Sequence, residues 1–229
     1  MKTKINTLLL LFSCYFILAQ NASEKKLFTS FDKIIGLENT TLSYGALFKE
    51  KYRSINGNHH YFITNKFKTA DIFYNSEPFF NIKLKYDIAD DIVIREYTEE
   101  GKKFNIALEN SLVSKFNIDN HSFINTTEYG FVEVLYKTKT TFLLKKHKKI
   151  KYKKLDKNFV YYNFKENYIY ILKYNNEYFN IEKTKNLYVV FPNKKQKIKD
   201  FKKQHSFLLK HNKDAFYTQL ITSLNTNRK

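Results

Sequence analysis

Residues 70–95, ADIFYNSEPFFNIKLKYDIADDIVIR, decide the fold class. Phe80, Ile82, Leu84 and Tyr86 fall on alternate positions, with Asn81, Lys83 and Lys85 between them. Successive side chains of a strand point to opposite faces, so this segment reads as a strand with one apolar and one wet face. Ile72 to Tyr74 forms a shorter apolar run ahead of it, and Asn75, Ser76, Glu77 and Pro78 carry the turn chemistry of a hairpin. Asp87, Asp90 and Asp91 interrupt the pattern before Ile92 to Ile94 begins a third strand. Three antiparallel strands joined by tight turns make a meander.

Upstream, Leu27, Phe31, Ile34 and Ile35 fall on one face of a short helix that Gly36 can end. Strand-like sequence starts at Leu42, with Tyr44-Gly45-Ala46 as a tight turn into Leu47 and Phe48. A loop at 54–58 with an Asn-Gly pair and the apolar run Tyr61 to Ile63 follow. Downstream, Phe104, Ile106 and Leu108 alternate with polar or small residues, as do Leu112, Phe116 and Ile118. Phe131 to Tyr136, apolar on both faces and so interior, pairs with Thr140 to Leu144. Phe159 to Phe164, Tyr168 to Tyr174, Tyr178 to Ile181 and Leu187 to Phe191 continue the series until Pro192 ends it. Roughly ten to twelve strands must curl, close or split into two packed sheets.

Beyond Pro192 the period changes from two to that of a helix. Ile198, Phe201, His205 and Leu208 form one stripe, and Phe216, Leu220, Ile221 and Leu224 another, with Asn193 and Asn212 as candidate caps. The reading is a mainly β protein. A curled antiparallel meander, as an open barrel or two-layer sheet, occupies residues 20–192, and two C-terminal α-helices in 193–229 pack on that sheet.

Lys2 and Lys4 precede an apolar run from Leu8 to Leu18, then Ala19. This pattern predicts a secretory signal peptide over residues 1–19. The run is too short for a permanent span, which needs about 20 residues. Cys14 permits a second reading as an acylated lipoprotein residue, but the bulky Phe12 and the apolar stub Tyr15 to Leu18 fit that poorly. Cleavage after Ala19 removes the single cysteine, and with it any disulfide, thiol nucleophile or cysteine-ligated metal.

The formal charge is +18, and all but three of the 40 basic residues are lysine. Such a balance raises nucleic acid or an anionic membrane surface as a partner. Specific readers of bases rely on bidentate arginine, so specific nucleic-acid binding is not expected. Much of the lysine is expected on solvated positions.

Three constellations carry candidate chemistry. Asp87, Asp90 and Asp91 put three carboxylates in five residues, which suits a Ca²⁺ ion. The expected role is a capped, solvated turn, because no glycine lets the loop wrap an ion. His59-His60 point to opposite faces if extended, which suits a loop or strand edge better than a metal. Lys145, Lys146, His147, Lys148, Lys149, Lys151, Lys153 and Lys154 make the densest basic run, interleaved with Ile150 and Tyr152. That run can grip phosphate, lipopolysaccharide or single-stranded nucleic acid. The expected role is a strand continuing past the sheet into a wet loop, its lysines blunting an edge. The tyrosines and phenylalanines read as core, and the lysine and asparagine on the outward strand positions argue against an outer-membrane barrel. No nucleophile elbow, phosphate loop or zinc helix is present, so no catalytic, cofactor or metal residue is named.

Leu84-Lys85-Tyr86-Asp87 with Asp91, the hairpin Phe131-Val132-Glu133-Val134-Leu135-Tyr136, and the lysine-rich strand Leu144 to Lys149 together resemble a family of uncharacterised exported β-rich proteins from Bacteroidota. Thr138 departs from the pattern, where similar chains often have glycine; this implies a different turn type or some strain. The resemblance implies an export address and a β-rich fold, without an activity. The functional expectation is an exported cell-envelope protein in the periplasm or outside the cell, with a non-catalytic binding or scaffolding role. Its partner would be an envelope protein or an anionic envelope surface. The alternative is an exported hydrolase with an unrecognised site.

Overall fold

The structure is a computed structural model, and it describes residues 24–54, 57–156 and 159–225. The expected signal peptide, with Cys14, lies outside the described residues. Helix α1 (24–35) is the first element among the described residues. Eleven strands follow: β1 (Gly45–Leu47), β2 (Lys68–Tyr74), β3 (Glu77–Asp87), β4 (Ile92–Glu99), β5 (Lys102–Leu108), β6 (Val113–Ile118), β7 (His121–Thr126), β8 (Gly130–Lys137), β9 (Thr141–Asp156), β10 (Phe159–Tyr174) and β11 (Glu177–Asn180). Helices α2 (Leu187–Val190), α3 (Lys195–Gln204), α4 (Ser206–His211) and α5 (Lys213–Asn225) complete it.

The strands hydrogen-bond in the order β1-β5-β4-β3-β2-β6-β7-β8-β9-β10-β11. This is one antiparallel sheet that does not close, which selects an open form among the expected ones. The chain divides into two compact units. One holds the described residues up to Lys49, with Lys66–Lys85 and Ile92–Asp119; the other holds Glu50–Asn65, Tyr86–Asp91 and residues from Asn120 onward.

Turn chemistry sets the hairpins. Asn75-Ser76, Glu100-Gly101 and Asn175-Asn176 all adopt positive φ at both central residues, which matches the twist of the strands they join. Glu77 and Pro78 therefore belong to β3, paired with Tyr74 and Phe73, and not to the turn. Thr138 needs no strain: its Oγ1 accepts from the Thr141 amide at 3.1 Å, and its own amide bonds the Thr141 carbonyl at 2.8 Å.

The expected alternation in β3 is corrected by one bulge. Asn81 sits at φ 58°, and the register with β2 shifts between Ala70 and Ile72. An extra residue flips the faces on one side of it. Phe79, not Phe80, is thereby buried with Ile82 and Leu84, and Phe80 turns to the other face, 6.4 Å from Phe28 of α1.

Other expectations are also revised. Gly45-Ala46-Leu47 is a short strand paired with β5, not a turn. Tyr61 makes only an isolated bridge to Asp87. The two expected strands at 159–164 and 168–174 are one strand, β10. His121–Thr126, whose polar residues hide its alternation, is a strand that the pattern did not mark. Leu187 to Phe191, an unbroken apolar run of the kind periodicity cannot assign, forms the single turn of α2. The stripe of Ile198 to Leu208 spans two helices, broken at His205, whose ring stacks 4.0 Å from Phe201.

In the second unit Leu143, Tyr170 and Leu172 of β9 and β10 form one core with Leu187, Ile198, Phe216, Leu220, Ile221 and Leu224. Full burial of each such side chain is worth about 1.5–3 kcal/mol. The Tyr217 hydroxyl is satisfied by the Ile181 carbonyl at 2.8 Å, and Asn212 Oδ1 accepts from Ala215 N at 3.0 Å to start α5.

Candidate functional site

The acidic turn and the basic run, far apart in sequence, meet in the second unit. The turn after β3 lies along β9. Lys146 Nζ reaches Asp91 Oδ1 at 2.6 Å and the Phe131 carbonyl at 3.1 Å, while Tyr86 donates to Asp91 at 2.5 Å. Lys151 Nζ reaches Asp90 at 2.7 Å and Tyr52 Oη at 2.6 Å. Lys149 donates to the carbonyls of His59 and Tyr61 at 2.6 and 3.1 Å. Asp87 is 1% exposed, and its Oδ1 accepts from the amides of Ala89 and Asp90. The turn is thus capped as expected, but Asp87 is buried, and Asp90 and Asp91 are only partly exposed.

The basic run is corrected in the same way. Lys145, Lys146 and His147 are buried within β9. Lys145 pairs with Asp214 of α5 at 2.7 Å. Glu133 of β8 holds His147 Nε2 at 2.6 Å with one oxygen and His121 Nδ1 at 2.5 Å with the other. His60 lies in a loop as expected, yet it is buried, with Nε2 3.2 Å from Glu50 and 3.5 Å from Asp87.

These environments set the charges. Burial pushes the Asp87 carboxyl up to about 6, against the two amide bonds. Burial also lowers Lys146, with Asp91 acting the other way. For Glu133 burial opposes ionisation, but the bonds from His147 and His121 outweigh it and hold the group below its usual value. Asp90 is lowered likewise, because its bonds from Lys151 and Tyr52 exceed the burial cost. A cleft of about 420 Å³ opens on this seam, lined by Asp90, Asp91, Tyr129, Gly130, Lys146 and Lys148. Among the described residues no group of three or more His, Cys, Asp or Glu is arranged to hold a metal ion.

The far half of the β9–β10 hairpin forms an arm. β8 pairs with β9 only between Phe142 and Lys145, and β11 with β10 only from Ile171 to Tyr174, whereas β9 and β10 pair with each other from Thr141 to Tyr174. A loop of the same unit braces one face. The Asn58 side chain donates to and accepts from the Phe164 backbone at 3.0 and 2.6 Å, and Tyr52 packs edge-on against Tyr162 at 5.0 Å. Directly paired residues share a face, so Ile150, Tyr152, Lys154, Tyr161 and Lys165 stand together on the opposite one. Leu155 is 73% exposed, Phe159 52% and Tyr152 48%, with Lys153 and Lys154 exposed between them. Arg53 lies 4.6 Å over the Phe159 ring.

The first unit contains a different cleft, of about 370 Å³, between the end of α1, the β3 bulge and β4. Arg95 lines it at 2% exposure. Its Nη1 donates to the Leu42 carbonyl at 3.0 Å, and the guanidinium lies 5.3 Å from the Tyr97 ring. Burial lowers its basicity, although it is opposed by Tyr97 and Glu38. The residue patterns did not single it out. The available signal was an arginine after three apolar residues in a chain whose other bases are nearly all lysine.

No family model matches the chain, and no curated protein or solved structure matches it either.

Proposed function

We propose that the protein is an exported cell-envelope protein with a non-catalytic binding role, and that it docks on an anionic surface through the β9–β10 arm. The observation that carries this reading is the arm itself: large apolar side chains exposed at the end of a hairpin, with the exposed Lys153 and Lys154 set between Tyr152 and Leu155. Monomeric proteins seldom expose such side chains in a cluster. Aromatic and aliphatic residues ringed by lysine suit the boundary between lipid headgroups and acyl chains, where rings bury and ammonium groups meet phosphate. Export rests on the pattern from Lys2 to Ala19. The buried charges of the seam are engaged with one another and brace the arm's base, which supports a positioning role for them over a catalytic one.

Co-sedimentation with lipid vesicles tests the reading. The protein should pellet with vesicles containing a third anionic phospholipid, remain free with pure phosphatidylcholine, and be released by salt. Each lysine near such a surface contributes about 1 kcal/mol, so Lys153→Gln with Lys154→Gln should weaken binding roughly thirtyfold. Leu155→Ser with Phe159→Ser should weaken it at least as much. Equal binding to neutral and anionic vesicles, or none to either, would overturn the proposal.

A further inference from the structure

Independently of the arm, the geometry points to the Arg95 cleft as a binding site for a small zwitterion, a free amino acid or short peptide, whose carboxylate meets Arg95 and whose ammonium meets Asp32. Arg95 has five N–H donors, and the Leu42 carbonyl takes one of them. Among the described residues no carboxylate oxygen lies within 4.0 Å of the guanidinium. A buried cation without an acidic partner is costly, and a planar carboxylate would fill the donor fork in bidentate fashion.

Asp32 lines the same cleft, is 8% exposed, and makes no side-chain hydrogen bond or ion pair among the described residues. The other charges there are differently placed. Glu96 pairs with Lys103, Lys83 bonds the Thr69 hydroxyl, and Lys33 is exposed. Glu38 is exposed, and its charge acts on Arg95 from beyond ion-pair distance. One buried cation and one buried anion, each unpaired and in one cavity, are complemented by a ligand that carries both signs.

The walls are built by two backbone features that an ordinary helix and strand would lack. Gly36 ends α1 at φ 84°, and a Cβ there would strike the Glu38 carboxylate. The Asn81 bulge, pinned by its amide to Asp71 Oδ1 at 3.1 Å, bends β3 at the cavity. Bulges recur beside binding sites, where they re-aim side chains. The volume of about 370 Å³ falls at the lower end of the range for small-molecule sites.

Isothermal titration of the full chain with L-alanyl-L-alanine, its N-acetyl form, its C-terminal amide and L-alanine tests the inference. The free dipeptide or the free amino acid should bind saturably at millimolar concentration or below. For the dipeptide, each blocked form should bind at least tenfold more weakly, since each loses a charged hydrogen bond. Arg95→Gln, which removes the cation, should erase the discrimination against the amide. Asp32→Asn, which removes an unpaired buried charge and so spares the fold, should erase the discrimination against the acetylated form. Lack of saturation by both free compounds, equal binding of blocked and free forms, or unchanged selectivity in a folded Asp32→Asn variant would each overturn it.

Discussion

Asp91→Asn isolates the charge that faces Lys146. Alanine would confound the result, because Asp91 sits at φ 59°, a region asparagine tolerates and alanine does not. Asparagine keeps an oxygen for the Tyr86 hydroxyl but leaves the Lys146 ammonium, whose side chain is 8% exposed, with the Phe131 carbonyl as its acceptor. Breaking a buried pair costs about 3–5 kcal/mol, and the 30% exposure of the Asp91 side chain brings this to about 3. In a chain of this size that lowers the melting temperature by about 6–12 °C. Lys146→Met should cost less, about 1 kcal/mol, because Asp91 retains Tyr86, the Phe131 amide and water. The double variant should be no worse than Asp91→Asn alone, a coupling of about 1 kcal/mol or more. Urea denaturation followed by circular dichroism measures all four proteins. The sign with pH is also set. Burial lowers the Lys146 pKa in the native state, so the unfolded chain binds more protons and the penalty of Asp91→Asn shrinks as pH rises from 7 toward 10. Additive losses, or an Asp91→Asn variant within about 1 kcal/mol of wild type, would refute the claim that the seam is a coupled ion-pair network.

Asp87 gives a second pH signature. Its native carboxyl titrates near 6, against an ordinary value of 3.8, so the native state holds more protons between those values and stability falls as pH rises through them. The shift is roughly two pKa units, about 3 kcal/mol in full. Asp87→Asn keeps an acceptor for the Ala89 and Asp90 amides, so relative to wild type it should gain about 2 kcal/mol between pH 4.5 and 7.5; a difference constant with pH in paired urea titrations would sink this. Ser76 holds φ 67° in the β2–β3 turn, where glycine is free of strain. Ser76→Gly should therefore raise stability by roughly 0.5–1 kcal/mol at unchanged urea dependence, and a loss would show that the turn's cost lies elsewhere.

The meander was legible because its strands obey a period of two and its turns carry Asn, Ser and Gly where positive φ is needed. What escaped was whatever depends on partners remote in the chain. No local pattern announces that Asn81 bulges, since the bulge is held by Asp71 ten residues away. His121–Thr126 becomes a strand because β8 pairs with it, from Phe123 through Thr126. Arg95 looked like one more polar residue because its burial depends on α1 and the β3 bulge around it.

The lysine run shows the same limit most sharply, and it separates two uses of one residue type. A charge count treats Lys145 to Lys154 as uniform, and composition placed much of the lysine on solvated positions. Strand periodicity divides them: Lys149 and Lys151 turn to the braced face, where Lys149 reaches two backbone carbonyls and Lys151 reaches Asp90. Lys148 and Lys154 share the opposite face with Ile150 and Tyr152 and are exposed. Nearer the sheet Lys145 and Lys146 are both buried, one on each face, and each has its own carboxylate. An expectation of solvated lysine alone predicts no acid opposite each buried base, and it predicts no large apolar neighbours for the exposed ones. The run is therefore better described as a paired base that anchors the hairpin and an unpaired end that projects from it. The charge left to offer a partner lies on the exposed Lys148, Lys153 and Lys154.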